Sequence, residues 1–185
     1  MKNVLVVISG PSGVGKGTIA RIITEKNKNV ALSISCTTRS PREGEKDGRE
    51  YFFVGRDDFE KGVSENGFLE YSEHFGNYYG TPRDFVLEKL KSNDVLLEID
   101  VNGGLNVKKS FPEAVLIMVV PPSLEELKAR LVGRHTESAE DIKLRMDRIE
   151  YELSKSSYYD YTVVNDDLYG AVEKIEEIIL KEKNK

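Results

Sequence analysis

The sequence predicts an α/β fold in which a parallel sheet is flanked by helices, built from one chain of 185 residues. Three observations carry this expectation. Short apolar runs alternate with stretches of helical periodicity, the pattern of strands and crossover helices. A glycine-rich turn joins the first run to the first helical stretch. Between Cys36 and Arg83 the alternation gives way to aromatics interleaved with glycines and charges, which reads as a small β-rich insertion. A chain of this length has room for one sizeable core carrying small subdomains.

Val4 to Ser9 reads as a buried strand, and a helix follows from about Gly15 with Ile19, Ile22 and Ile23 as its apolar stripe. Val30 to Ser35 alternates weakly and suggests a second strand. In the insertion, a short helix is expected near Asp57, while Phe52, Phe53, Phe68 and Phe75 are expected to form its core. Val95 to Ile99 and Val115 to Val120 are further buried strands, the second stopped by Pro121-Pro122. Ser123 with Glu126 forms a capping-box signature ahead of Leu124, Leu127 and Leu131. Ser138 with Asp141 opens another helix, carrying Ile142, Met146, Ile149 and Leu153. Tyr161 to Val164 completes the strands, Ala171 to Ile179 marks a closing helix, and the tail from Lys181 to Lys185 is expected to fray.

Composition narrows the function. The hydrophobic fraction is 39% and the charged fraction 32%, as in globular proteins. A formal net charge of -5 argues against indiscriminate binding of nucleic acid, which needs a dominant basic footprint. The single cysteine, Cys36, excludes an internal disulfide, and two distant histidines, His74 and His135, are poor material for a metal site. Cys36 reads as packing, with no base near it to make a nucleophile. No apolar run is long enough for a targeting segment or membrane span, so the cytoplasm is the expected compartment.

The segment Gly10, Pro11, Ser12, Gly13, Val14, Gly15, Lys16, Gly17, Thr18 sits between strand and helix. Its glycines let successive N–H groups turn around phosphate oxygens, the helix N-terminus adds partial positive charge, and Lys16 adds a full one. Between a strand and a helix this reads as a phosphate-binding P-loop rather than a plain glycine-rich turn, and a P-loop NTPase fold is expected. The strict motif has Ser or Thr directly after the lysine, where Gly17 stands. Water or Thr18 would then have to substitute at Mg²⁺. A second anion site is suggested by Arg39 and Arg42, whose guanidinium forks suit a monophosphate. Those two arginines alone would more often be solvated loop charges.

Further segments join these: Ser33 to Gly44, Gly48-Arg49-Glu50-Tyr51-Phe52-Phe53, Gly67-Phe68-Leu69-Glu70-Tyr71 and Gly76-Asn77-Tyr78-Tyr79-Gly80-Thr81. With Glu98-Ile99-Asp100-Val101-Asn102-Gly103-Gly104 and Val164-Asn165-Asp166-Asp167-Leu168, the chain resembles the guanylate kinase family over nearly its whole length. The resemblance implies one domain over 1–185, with a core of 1–35, 83–129 and 149–185, a GMP-binding region at 36–82, and a helical lid at 130–148. It implies transfer of the γ-phosphoryl group of ATP to GMP with Mg²⁺ required, and dGMP as a further candidate acceptor. Residues 10–18, Arg134 and Asn165 would bind ATP, Asn165 near the adenine. Ser35, Arg39, Arg42, Tyr51 and Tyr79 would hold the GMP phosphate; Glu70, helped by Thr81 and Asp100, would read the guanine. Lys16, Arg134 and Arg145 are the catalytic candidates, Arg145 also reaching GMP, with Arg148 a further lid-side candidate. Asp100 could hold Mg²⁺ through water or orient an arginine.

The carboxylate of Glu70 suits guanine because N1–H and the 2-amino group both donate, whereas adenine would leave it unpaired. The lid segment Arg130 to Glu137 departs from the family pattern at His135, where glycine is more usual. Arg148 with Glu152, and Arg130 with Glu126, are spaced to form ordinary helical ion pairs. Two rival readings share the fold: a non-catalytic guanylate-kinase-like module binding phosphopeptides, and a monophosphate kinase with another acceptor. Retention of Lys16, Arg134 and Arg145 opposes the first, and Glu70 with Thr81 the second. A GTPase switch lacks its Asn-Lys-x-Asp motif here. Oligomeric state is not legible in the sequence.

Overall fold

The computed structural model describes residues 2–127 and 139–185. Five parallel strands form the central sheet: β1 (Leu5–Ser9), β2 (Val30–Leu32), β7 (Asp94–Glu98), β8 (Val115–Val120) and β9 (Tyr161–Val164), in the order β2-β7-β1-β8-β9. Leu5 to Ile8 run beside Val95 to Glu98, and Val6 to Ser9 beside Val115 to Met118. The central strands β1, β7 and β8 carry nearly continuous apolar runs because helices cover both faces.

Strand alternation sorts the core into two layers. Val6, Ile8, Leu96, Ile117, Val119 and Val163 pack against helix α1 (Lys16–Lys26) and the last helix, α6 (Leu168–Lys183). Leu5, Val7, Val95, Leu97, Leu116 and Met118 face helix α3 (Arg83–Leu90) through Val86 and helix α4 (Val101–Ser110) through Val101 and Val107. A smaller cluster joins Leu127 to Ile149 of helix α5 (Ala139–Ser154).

A second sheet, order β4-β3-β6-β5, is formed by β3 (Cys36–Thr37), β4 (Phe52–Phe53), β5 (Phe68–His74) and β6 (Asn77–Pro82). Helix α2 (Arg56–Ser64) packs on it, its Phe59 stacked on Phe68 at 4.4 Å between ring centroids and on Tyr78 at 5.1 Å. Rows of aromatics thus supply the apolar mass that such short strands lack.

Several expectations change. Strand β2 stops at Leu32 rather than Ser35, and α2 begins one residue early, at Arg56 after Gly55. Helices α3 and α4 had no counterpart in the sequence reading. Phe75 is no part of the insertion's core: it is 100% exposed at the tip of the β5–β6 hairpin. The tail does not fray either. Helix α6 runs to Lys183, whose ammonium lies 2.7 Å from the buried carboxylate of Asp94. At Ser123 the expected cap is present, its Oγ accepting from the N–H of Glu126 at 3.1 Å. Ser138, the other expected cap, lies outside the described residues.

Candidate active site

In an open α/β sheet, ligands settle in the crevice beyond the carboxyl ends of the strands where the order of connection reverses. Here β1 holds that place, between β7 and β8. The loop after β1 is the P-loop, Glu98 ends β7 with Asp100 just beyond it, and Asn165 follows β9. One sheet edge therefore gathers residues far apart in sequence.

Lys16 opens α1, and its ammonium folds back on the loop carbonyls of Gly10 at 2.6 Å and Pro11 at 3.0 Å. Burial lowers its pKa, while Glu98, Glu152 and Asp100 act in the opposite sense. Gly15 has φ +100°, and a Cβ there would lie 2.6 Å from Nδ2 of Asn165. That amide is committed to the loop, donating to the carbonyl of Val14 at 2.7 Å, and Asn165 is only 6% exposed. Asn165 thus lies beneath the P-loop as its buttress. No hydroxyl follows Lys16, yet Glu98 Oε2 lies 3.4 Å from where a Cβ on Gly17 would stand.

A cavity of about 550 Å³ opens beside the loop, bounded by Ser12, Lys16, Glu98, Asp100, Arg148 and Glu152 among others. A second, of about 300 Å³, reaches into the small sheet and is lined by Ser35, Tyr51, Glu70, Ser72, His74 and Tyr79. Phe75, Glu98, Ile99, Asp100 and Arg148 bound both, so the two are chambers of one cleft.

At the inner end of the second chamber stands Glu70, 8% exposed, with Thr81 Oγ1 donating to its Oε1 at 2.6 Å. Burial pushes its carboxyl up to about 7, and Asp100 adds in the same direction against the Thr81 hydrogen bond. Asp100 caps α4, accepting from the N–H of Gly103 at 2.7 Å, and its carbonyl accepts from Ser9 Oγ at 3.1 Å. His74 Nε2 lies 3.3 Å from Asp100 Oδ2 and 3.0 Å from Ser72 Oγ. Both contacts use one ring nitrogen, so this is no nucleophilic triad, which needs the base bound through both.

Toward the chamber's mouth, Arg39 grips Glu45 bidentately, both contacts at 3.0 Å, and Glu45 also accepts from the N–H of Arg42 at 2.7 Å. A carboxylate thus occupies the fork that a phosphate would match. Tyr51 and Tyr79 meet edge to face at 6.0 Å, and the Arg39 guanidinium lies 5.5 Å from the Tyr51 ring. Burial raises the Tyr51 phenol, and it pushes the Cys36 thiol up to about 11, which leaves Cys36 an inert packing group.

The structure thus brings Lys16, Ser35, Tyr51, Glu70, Tyr79 and Asp100 to one cleft with the P-loop, while Thr81 supports Glu70 from within the sheet. Arg130, Arg134 and His135 lie outside the described residues, as does the side chain of Arg145. Arg148 lines the cleft while pairing with Glu152 at 3.2 Å, so the ion-pair reading and the cleft reading both describe it. Sequence reasoning missed Glu98, Glu152, Ser72 and His74. The period of two along β5 could have found Ser72 and His74, since both share a strand face with Glu70. Among the described residues no group of three or more His, Cys, Asp or Glu is placed to hold a metal ion, and no helix is long and apolar enough to cross a membrane.

The guanylate kinase family profile matches residues 2–182. The guanylate kinase of Caldanaerobacter subterraneus subsp. tengcongensis is 51% identical over 183 residues, covering 98% of this chain and 89% of that one. That of Halalkalibacterium halodurans is 46% identical over 182 residues, covering 98% and 89%. The crystal structure of guanylate kinase from Anaplasma phagocytophilum superposes with a TM-score of 0.78 at 33% identity, covering 100% of this chain and 88% of that one. A match that runs this evenly through P-loop, inserted sheet and closing helix leaves one assignment: the chain belongs to the guanylate kinase family.

Proposed function

We propose that the chain transfers the γ-phosphoryl group of ATP to the phosphate of GMP, giving ADP and GDP. The observation that carries this is the divided cleft, with a phosphate-binding loop and Lys16 in one chamber and the buried Glu70–Thr81 pair in the other. ATP lies along residues 10–18, whose N–H groups and Lys16 bind the phosphates; Asn165 holds the loop from below and borders the adenine side. GMP enters the second chamber. Its phosphate displaces Glu45 from Arg39 and is held there with Arg42, Ser35, Tyr51 and Tyr79. Its guanine donates N1–H and the 2-amino group to Glu70, ionised on binding, with Asp100 beside it. A GMP phosphate oxygen attacks the γ-phosphorus in line, the bond to the β–γ bridging oxygen breaks, and ADP departs with the charge.

A phosphate monoester is largely dianionic at neutral pH, so no strong base is needed. Positioning and positive charge carry the rate, with Arg134 and Arg145 closing on the transferring group from a lid at 130–148 and residues 36–82 closing from the acceptor side. The carboxylates of Glu98 and Asp100, with the hydroxyl of Thr18, would hold Mg²⁺ through water, where it would supply charge neutralisation to the phosphate oxygens of ATP. dGMP fits the same base contacts.

The test is product formation by the purified protein with Mg-ATP and, separately, GMP, AMP, UMP, CMP and dTMP. Rapid GDP formation, abolished in Lys16→Ala, is expected. Binding of GMP or a phosphopeptide without turnover of any acceptor would overturn the proposal.

A further inference from the structure

Phe75 is poorly suited to its position at the tip of a hairpin. The hairpin between β5 and β6 turns through Phe75 at φ +51° and Gly76 at φ +75°, the primed turn that Asn-Gly forms without strain. An L residue with a large side chain is disfavoured there, and this one is wholly exposed. It neither fills the core of the insertion nor helps the turn. Strain at such a place is retained when something else requires the side chain.

Phe75 does border the cleft: with Glu98, Ile99 and Asp100 it lines both chambers. The same first chamber is lined by Leu144 of α5, 63% exposed. The two exposed apolar groups thus border one cavity, one on the hairpin of the inserted sheet and one on α5.

We propose that Phe75 is a positioning residue for phosphoryl transfer, which packs against Leu144 when both substrates are bound and seals the junction of the two chambers against water. The inference rests on the kinase reading above. Sealing matters because water competes with the acceptor for the γ-phosphoryl group, and an apolar plug excludes it without adding charge near the phosphates. The attack and bond cleavage are those already given; when the seal fails, water replaces the GMP oxygen and yields inorganic phosphate and ADP.

Phe75→Asn separates this role from folding, since Asn-Gly suits the turn better than Phe-Gly. The measurement is GDP and inorganic phosphate produced per ADP, with kcat, KM and thermal midpoint, for the wild type, Phe75→Asn, Phe75→Leu, Leu144→Ser and the Asn/Ser double variant. We expect Phe75→Asn to melt no lower than the wild type, yet to lose about tenfold in kcat, the scale of a partly buried phenyl ring, with little change in KM. Phosphate release per ADP should rise, Phe75→Leu should restore coupling, and the double variant should be no worse than the weaker single one. Unchanged kcat and coupling in Phe75→Asn would overturn the inference, as would a loss that tracks a lowered thermal midpoint or strictly additive effects at the two positions. A wild type that makes no GDP would instead overturn the kinase reading itself.

Discussion

Glu70→Gln tests the base-reading assignment and the electrostatic cost of that site together. The buried carboxyl titrates at about 7 instead of 4.5, chiefly because burial penalises its charge. The difference of about 2.5 units corresponds to about 3 kcal/mol. Between those two pH values the native chain holds a proton that the unfolded chain has released, so stability falls as pH rises. The contribution is fully present below about 4.5 and lost above about 7. Glutamine keeps the shape and can still accept from Thr81, but never pays for a buried charge. The variant should therefore match the wild type near pH 4.5 and exceed it by up to about 3 kcal/mol at pH 8. For a chain of this length that is roughly 6–12 °C in thermal midpoint.

Function should move the opposite way. Glutamine cannot accept from both guanine N–H groups, and its own N–H group then faces one of them, so preference for GMP over AMP should fall by at least about 100-fold. In the proposed base reading GMP binds the ionised carboxylate, so wild-type KM for GMP should rise by up to about tenfold per unit as pH drops below 7. The GMP phosphate itself protonates near 6, but that occurs in both proteins, so the difference between their profiles isolates Glu70. Denaturation at pH 5 and 8, beside kinetics with both acceptors, measures everything required. A variant no more stable at pH 8 than at pH 5, relative to the wild type, refutes the burial argument. An unchanged GMP preference refutes the base assignment.

Two other substitutions follow from the geometry. Gly15→Ala forces a Cβ against Asn165 at a φ of +100°, which should cost about 1–3 kcal/mol and break the Asn165–Val14 hydrogen bond; calorimetry should show ATP binding weakened far more than GMP binding. Lys183→Met leaves the Asp94 carboxylate buried without its cation, since the two are 18% and 3% exposed, so about 3 kcal/mol of stability should be lost by chemical denaturation, most of it regained in Lys183→Met with Asp94→Asn.

How much of this was legible depended on whether a residue's role was local. Strands β1, β7 and β8 could be read because burial on both faces leaves apolar runs, and the edge strand β9 because Tyr161 to Val164 is rich in β-formers. Helix α4 could not, because Gly103 and Gly104 argue against a helix on propensity. The reason for Gly104 lies elsewhere in the chain: any side chain there would collide with the hydroxyl of Tyr159, which donates to Val101 at 3.0 Å. Helix α3 buries only Val86 among its eight residues, too little to print an amphipathic stripe. The order of the tail depends on Asp94, 89 positions away. Phe75 misled for the opposite reason: an aromatic in an aromatic-rich segment is ordinarily core, and only the turn geometry reveals that it points outward.

The residues that sequence reasoning missed also change the electrostatic picture of the cleft. Read from the motifs alone, it is a basic site made by Lys16 and arginines. In the structure, Lys16 and Arg148 face Glu70, Glu98, Asp100 and Glu152, two basic side chains against four acidic ones among the described residues lining the chambers. Glu98, Asp100 and Glu152 oppose the loss of charge that burial would impose on Lys16. They would equally repel the phosphates of ATP and GMP. Such a cleft favours a nucleotide that arrives with its charge already reduced, as ATP carrying a divalent cation does; in the proposed mechanism the remaining neutralisation would fall to Arg134 and Arg145. On that mechanism the acidic lining would make occupancy by both substrates depend on the arrangement that transfer requires: free phosphates would gain little from the cleft until the arginines join it.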